Sequence, residues 1–162
     1  MSKRARLHTI LGTVVLLVLS ALGVSGPAVA ADRADDDSAD IIAYALEAEP
    51  GGIVLSDNLV YWPRLTMTLT VDTERGAELR AVGSCPSGLY CAYSGQNLTG
   101  SRLSWTACGV QSTAALSVVR SIANARLVGV VQARNGTSVL ASASSNAWTN
   151  VGGTTTNLNC LN

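Results

Sequence analysis

Four cysteines, Cys85, Cys91, Cys108 and Cys160, constrain this chain more than any other feature. All four lie in one stretch, Ala81 to Asn162, that contains no Asp, Glu, Lys or His. An even count in an exported chain predicts two disulfides, and four cysteines allow three pairings. We favour Cys85–Cys91 and Cys108–Cys160. The first pair closes a small ring over Pro86-Ser87-Gly88, where a turn is natural. The second ties the end of the chain back to the first half of the stretch. Loop-closure entropy gives the small ring ~2 kcal/mol and the large one ~4 kcal/mol. Zinc is the competing use of four cysteines. Gaps of five, sixteen and fifty-one residues lack the paired short knuckles of such sites.

Export is read from the first thirty residues. Lys3, Arg4 and Arg6 precede an apolar stretch, Ile10 to Val24, and Ala28-Val29-Ala30 is a small-residue cleavage site after Pro27. The apolar stretch falls short of the about 20 residues a membrane span needs. Residues 1–30 therefore read as a signal peptide. The expected product is secreted and extracellular, with no membrane attachment after cleavage. Ala31 to Asn162 is a length that suits one domain with a modest core. The only His, His8, and the only Lys, Lys3, leave with the signal. Residues 31–80 then carry four Arg against all eleven acids, a net −7. Residues 81–162 carry Arg102, Arg120, Arg126 and Arg134 and no acid, a net +4.

The pattern along the chain predicts a mainly β protein. Ala31 to Asp37 is small, acidic and expected to lack regular structure. A helix is predicted from Ser38 to about Ala48, with Ile41, Ile42, Ala45 and Leu46 on its apolar face and Pro50-Gly51-Gly52 after it. Leu65-Thr-Met-Thr-Leu-Thr-Val71 alternates apolar and Thr without a break, the signature of a half-buried strand. Val60-Tyr61-Trp62 is its predicted hairpin partner. Residues 31–80 thus form an acidic extension of short helix and hairpin. Residues 81–162 form a stapled β domain. Its candidate strands are 89–93, 102–106, 116–120, 127–133, 137–142, 147–151 and 157–161, a spacing that fits a small sandwich or barrel.

Several motifs in this second region occur together. Cys85-Pro-x-Gly-x-x-Cys91 is followed after two residues by Tyr93 and then Asn97-x-x-Gly100. Trp105-x-x-Cys108-Gly109, the run Ser121 to Arg126 and the terminal Cys160 come after them. Together they resemble the secreted actinobacterial peptidase-inhibitor family typified by the Streptomyces metalloproteinase inhibitor. The resemblance covers roughly residues 81–162. It implies a βγ-crystallin-like Greek-key sandwich, with Tyr93 and Gly100 as the aromatic and the glycine of its folded hairpin. There the aromatic covers the turn and the glycine permits positive φ. Leu98 stands where the family carries an aromatic.

The residue inventory argues against an enzyme. A serine nucleophile needs a base, and the chain after the signal has no His or Lys. Paired cysteines offer no thiolate. The second region offers no carboxylate to calcium. No catalytic residue, metal or cofactor is therefore expected. The resemblance implies a peptidase inhibitor, with an extracellular metalloprotease as partner. The expected contact is a rigid loop held by the Cys85–Cys91 ring: Pro86, Ser87, Gly88, Leu89 and Tyr90. Leu89 and Tyr90 are its candidate hydrophobic anchors; a structural corner is the blander use of the same residues. Val128-Gly129-Val130, between the two halves, is a second candidate. The alternative is a non-inhibitory binding or structural module at the cell wall, with the four Arg as a cationic face. Nucleic acid is disfavoured, because basic and aromatic residues do not interleave. A monomer is expected.

Overall fold

The computed structural model of the protein describes residues 28–71 and 82–162. The signal-peptide reading falls mostly outside these residues, and the boundary placed at residue 80 falls outside them as well. The chain opens with helix α1 (Ala28–Ala48). Its end agrees with the expected one, but its start lies ten residues before Ser38. Alanine is the strongest helix former, and no Gly or Pro interrupts 28–48, so acidity did not prevent the helix from extending. Ile42 and Ala45 enter the main core, with Ile41 and Leu46 packed against it. Gly51, at φ +93°, ends the helix in a conformation only glycine adopts freely. The Trp62 indole N–H donates to the carbonyl of Glu49 at 2.6 Å, which pins the helix end to the sheet.

Among the described residues eleven strands follow, all antiparallel, in two sheets. The first three are β1 (Ile53–Ser56), β2 (Leu59–Trp62) and β3 (Met67–Thr70). The expected hairpin is β2 with β3, and the Thr alternation reads directly as burial: Met67 and Leu69 in, Thr68 and Thr70 half out. Strand β1 was not expected. It is an edge strand exposed at all four positions, so its apolar run Ile53-Val54-Leu55 carries no alternation to read.

The stapled region supplies β4 (Tyr90–Tyr93), β5 (Arg102–Trp105), β6 (Val110–Ser112) and β7 (Ser121–Asn124). It continues with β8 (Val130–Asn135), β9 (Ser138–Ser144), β10 (Ala147–Asn150) and β11 (Asn157–Leu161). The large sheet runs β1-β2-β3-β5-β4-β7-β10, and the small one β6-β11-β8-β9. Strand β3 pairs with β5 through Met67↔Trp105 and Leu69↔Leu103. The N-terminal strands are thereby continuous with the stapled sheet.

One expected strand, 116–120, is absent. Residues 113–120 form an irregular loop that drops Ala115, Leu116 and Val119 into the core. Those apolar residues signalled burial, not extended backbone. The strand comes next, as β7, buried on both faces. Its polar members Ser121 and Asn124 are fully buried too, so it shows no period of two. The strand expected from 127 begins at Val130 instead.

Both favoured disulfides form: Cys85–Cys91, with Cα atoms 5.9 Å apart, and Cys108–Cys160, at 4.9 Å. Two hydrophobic cores result. The larger holds Trp62, Leu69, Tyr90, Leu103 and Trp105. The smaller holds Cys85, Cys91, Tyr93 and Ala123, with Leu89 and Leu98 at its rim. Tyr93 closes β4 with its hydroxyl near that of Ser84, at 3.3 Å. Gly100, at φ +75°, ends the β4–β5 connection, and a Cβ there would collide with Ser94.

Leu69 lies between Val60 and Leu103 across two ladders. Leu69→Ala is expected to cost about 3 kcal/mol. Urea denaturation measures it. A cost below about 1 kcal/mol would mean that the N-terminal strands are not part of the cooperative core.

Candidate functional site

Two connections meet at one end of the large sheet. The first is the ring closed by Cys85–Cys91. The Leu89 N–H donates to the Pro86 carbonyl at 3.1 Å, which makes the turn. Gly88 sits at φ +83° with open space where a Cβ would be. The second is the β7–β8 connection, Ala125 to Gly129. Ala125 stitches the two together: its carbonyl accepts from Gly88 N–H at 2.8 Å, and its N–H donates to the Leu89 carbonyl at 2.9 Å.

Asn124, fully buried at the end of β7, braces the second connection from inside. Its Oδ1 accepts from the Arg126 N–H at 3.2 Å, and its Nδ2 donates to the Gly129 carbonyl at 3.1 Å. One side chain thus satisfies both ends of a short loop, the local bonding that asparagine favours at turns. From outside, the Asn146 N–H donates to the Arg126 carbonyl at 3.2 Å. Gly129, at φ +84°, lies so close to the Leu161 carbonyl that a Cβ would overlap it.

Arg126 completes the frame. Its guanidinium lies on the Cys108–Cys160 bridge, in contact with the Cys108 sulfur and 2.7 Å from that of Cys160. The same group donates to Asn162 Oδ1 at 3.0 Å. The two residues after it face solvent. Leu127 is 81% exposed and Val128 60% exposed.

The expected contact residues are distributed unevenly. Ser87 and Gly88 are exposed, Pro86 and Leu89 half-buried, and Tyr90 fully buried. The Tyr90 ring stacks on Trp105 at 5.4 Å with 16° between planes. Its hydroxyl donates to the Ala107 carbonyl at 2.8 Å. Tyr90 therefore does not face a partner. It fixes the strand behind the ring, and Leu89 rests on the smaller core. Sequence reasoning did not single out Leu127, the most exposed large apolar residue among those described. It belongs to the apolar run assigned to a strand at 127–133; Gly129, which breaks that run, was the available signal.

Three of the four arginines bond within the fold. Arg102 bonds the Ser84 carbonyl and the Thr70 hydroxyl, Arg126 the disulfide, and Arg134 the Gln132 amide oxygen. Arg120 is exposed on the 113–120 loop. Among the described residues, no three His, Cys, Asp or Glu side chains group as metal ligands, and no helix is long and apolar enough to cross a membrane.

The stapled segment has a counterpart among known families. Residues 79–127 match the model of peptidase inhibitor family I36. No curated protein and no solved structure matches the chain. The family I36 match spans the Cys85–Cys91 ring and strands β4 to β7, and it ends at Leu127. It supports a peptidase inhibitor, with a peptidase as partner.

Burial pushes the Tyr90 hydroxyl well above the ordinary tyrosine range; the nearby Arg126 charge opposes this only in part. A group whose folded pKa is raised contributes stability that is fully present below its unfolded pKa, here about 10. That stability is lost as pH rises from there toward the folded value. Wild-type protein is therefore expected to weaken steadily above about pH 10, and Tyr90→Phe to weaken less steeply. Denaturant midpoints across alkaline pH measure the difference. Equal slopes would show that another group governs alkaline stability.

Proposed function

We propose that the protein is a secreted inhibitor of extracellular metalloproteases that fills the protease cleft with a rigid, disulfide-held loop and works as a monomer. The observation that carries this reading is the coincidence of the family I36 match with the two tied connections. The metalloprotease target rests on the resemblance to the Streptomyces inhibitor. Secretion rests on the signal-like first thirty residues and on two disulfides, which persist in oxidising compartments.

A loop that is already ordered loses little conformational entropy on docking, so more of its contact energy appears as affinity. Both connections also lie inside covalent rings. Cys85–Cys91 encloses Pro86 to Tyr90, and Cys108–Cys160 encloses Ala125 to Gly129. A single cut in either leaves the two chain ends joined. Religation then competes with release, and the loop persists as an occupant instead of a substrate.

The second region has no His, Asp or Glu, and its cysteines are paired. Its side chains are therefore poor zinc ligands. The inhibitor blocks the cleft by occupying it and does not strip the metal.

Titration of a thermolysin-like metalloprotease with purified protein is expected to abolish activity at one equivalent. Added zinc is expected not to restore it, and reduction of the disulfides to weaken inhibition at least about tenfold, or about 1.4 kcal/mol. Full protease activity in excess protein would overturn the proposal. Recovery of activity on adding zinc would replace cleft occupancy with metal capture.

A further inference from the structure

The Leu127-Val128 tip has a specific consequence, which rests on the peptidase-inhibitor reading above. We infer that the β7–β8 connection, not the Cys85–Cys91 ring, enters the cleft, and that Leu127 fills a pocket for an aliphatic side chain. Leu127 is the most exposed large hydrophobic residue among those described, at 81%. Isolated exposed apolar residues are ordinary. This one is unusual because the backbone before it and after the tip is tied down.

The ties act on both sides of the tip. Ala125 is bonded on both sides to the ring, Arg126 through its N–H to Asn124 and its carbonyl to Asn146, and Gly129 through its carbonyl to Asn124. Water gains nothing from the Leu127 side chain, and the loop has little freedom to fold it inward. Burial of one leucine in a partner pocket is favourable by about 2 kcal/mol. A preorganised loop keeps most of that gain. The ring offers less, since its exposed tip is Ser87 and Gly88, while Leu89 packs on the smaller core and Tyr90 in the larger.

The same geometry sets the specificity. The sequence Arg126-Leu127 resembles a site for proteases that select a basic residue. The Arg126 guanidinium, however, is held on the disulfide and on Asn162. It is withheld from a cleft, and Leu127 is what the loop presents. The target is therefore a peptidase with an aliphatic pocket. Asn124 is a positioning residue for this contact.

Leu127→Asp, Leu127→Met and Ser87→Asp variants test the inference against a thermolysin-like protease and against trypsin. Leu127 is exposed, so thermal denaturation is expected to be unchanged in both of its variants. Leu127→Asp is expected to weaken inhibition of the metalloprotease at least about thirtyfold, the size of an interface hot spot. Leu127→Met and Ser87→Asp are expected to stay within about threefold of wild type. Trypsin is expected to remain active. Normal potency of Leu127→Asp beside an inhibitory wild type would overturn the inference and leave the inhibitor reading standing. A large loss in Ser87→Asp alone would move the contact to the ring. A wild type that inhibits no aliphatic-selective peptidase would overturn both.

Discussion

Strand β4 is buried on both faces, and the rest of the protein is arranged around that constraint. Tyr90 and Ala92 face the larger core, and Cys91 and Tyr93 face the smaller one. A strand without a wet face must satisfy every backbone polar group by pairing. It does so with β5 on one side and β7 on the other. The alternation that in β3 separates core from solvent here separates two cores. Cys91 then anchors the ring, and the β7 partner strand delivers Asn124 and Ala125 to the ring's side.

The end that carries the two tied connections inherits its rigidity from this placement. The bonds that order the two connections are made during folding, so the ordering entropy is lost then and not on binding. Polar groups supply most of the order. Buried Asn124 has both of its amide atoms bonded to the backbone, and a buried polar group is tolerable on that condition. Arg126 serves as a brace and not as a surface charge. Arg102 joins β5 to β3 through the Thr70 hydroxyl.

Legibility varied with how closely local pattern and environment agreed. The Thr alternation of β3 marked a strand because that strand has one dry face and one wetter one. The ring over Pro86-Ser87-Gly88 was legible because turn chemistry and cysteine spacing pointed the same way. The 113–120 loop misled because its leucine and valine are buried without regular backbone. Strand β7 hid because a doubly buried strand can carry Ser and Asn when their bonds are met inside. Tyr90 was placed in the contact by its neighbours in sequence. Its stacking on Trp105, fifteen positions away, removes it.

By itself the sequence determined the kind of molecule: a mainly β body, two disulfides in the favoured pairing, and a segment poor in the side chains that catalysis uses. These follow from composition, spacing and short-range turn chemistry, all of which are local properties of the chain. Only the tertiary structure decided which apolar residues stay outside. The exposure of Leu127 and the withdrawal of Tyr90 depend on contacts between β7, the ring and the chain terminus. Those residues are brought together by strand pairing and by a disulfide with a sequence separation of 52, and no local pattern encodes that meeting.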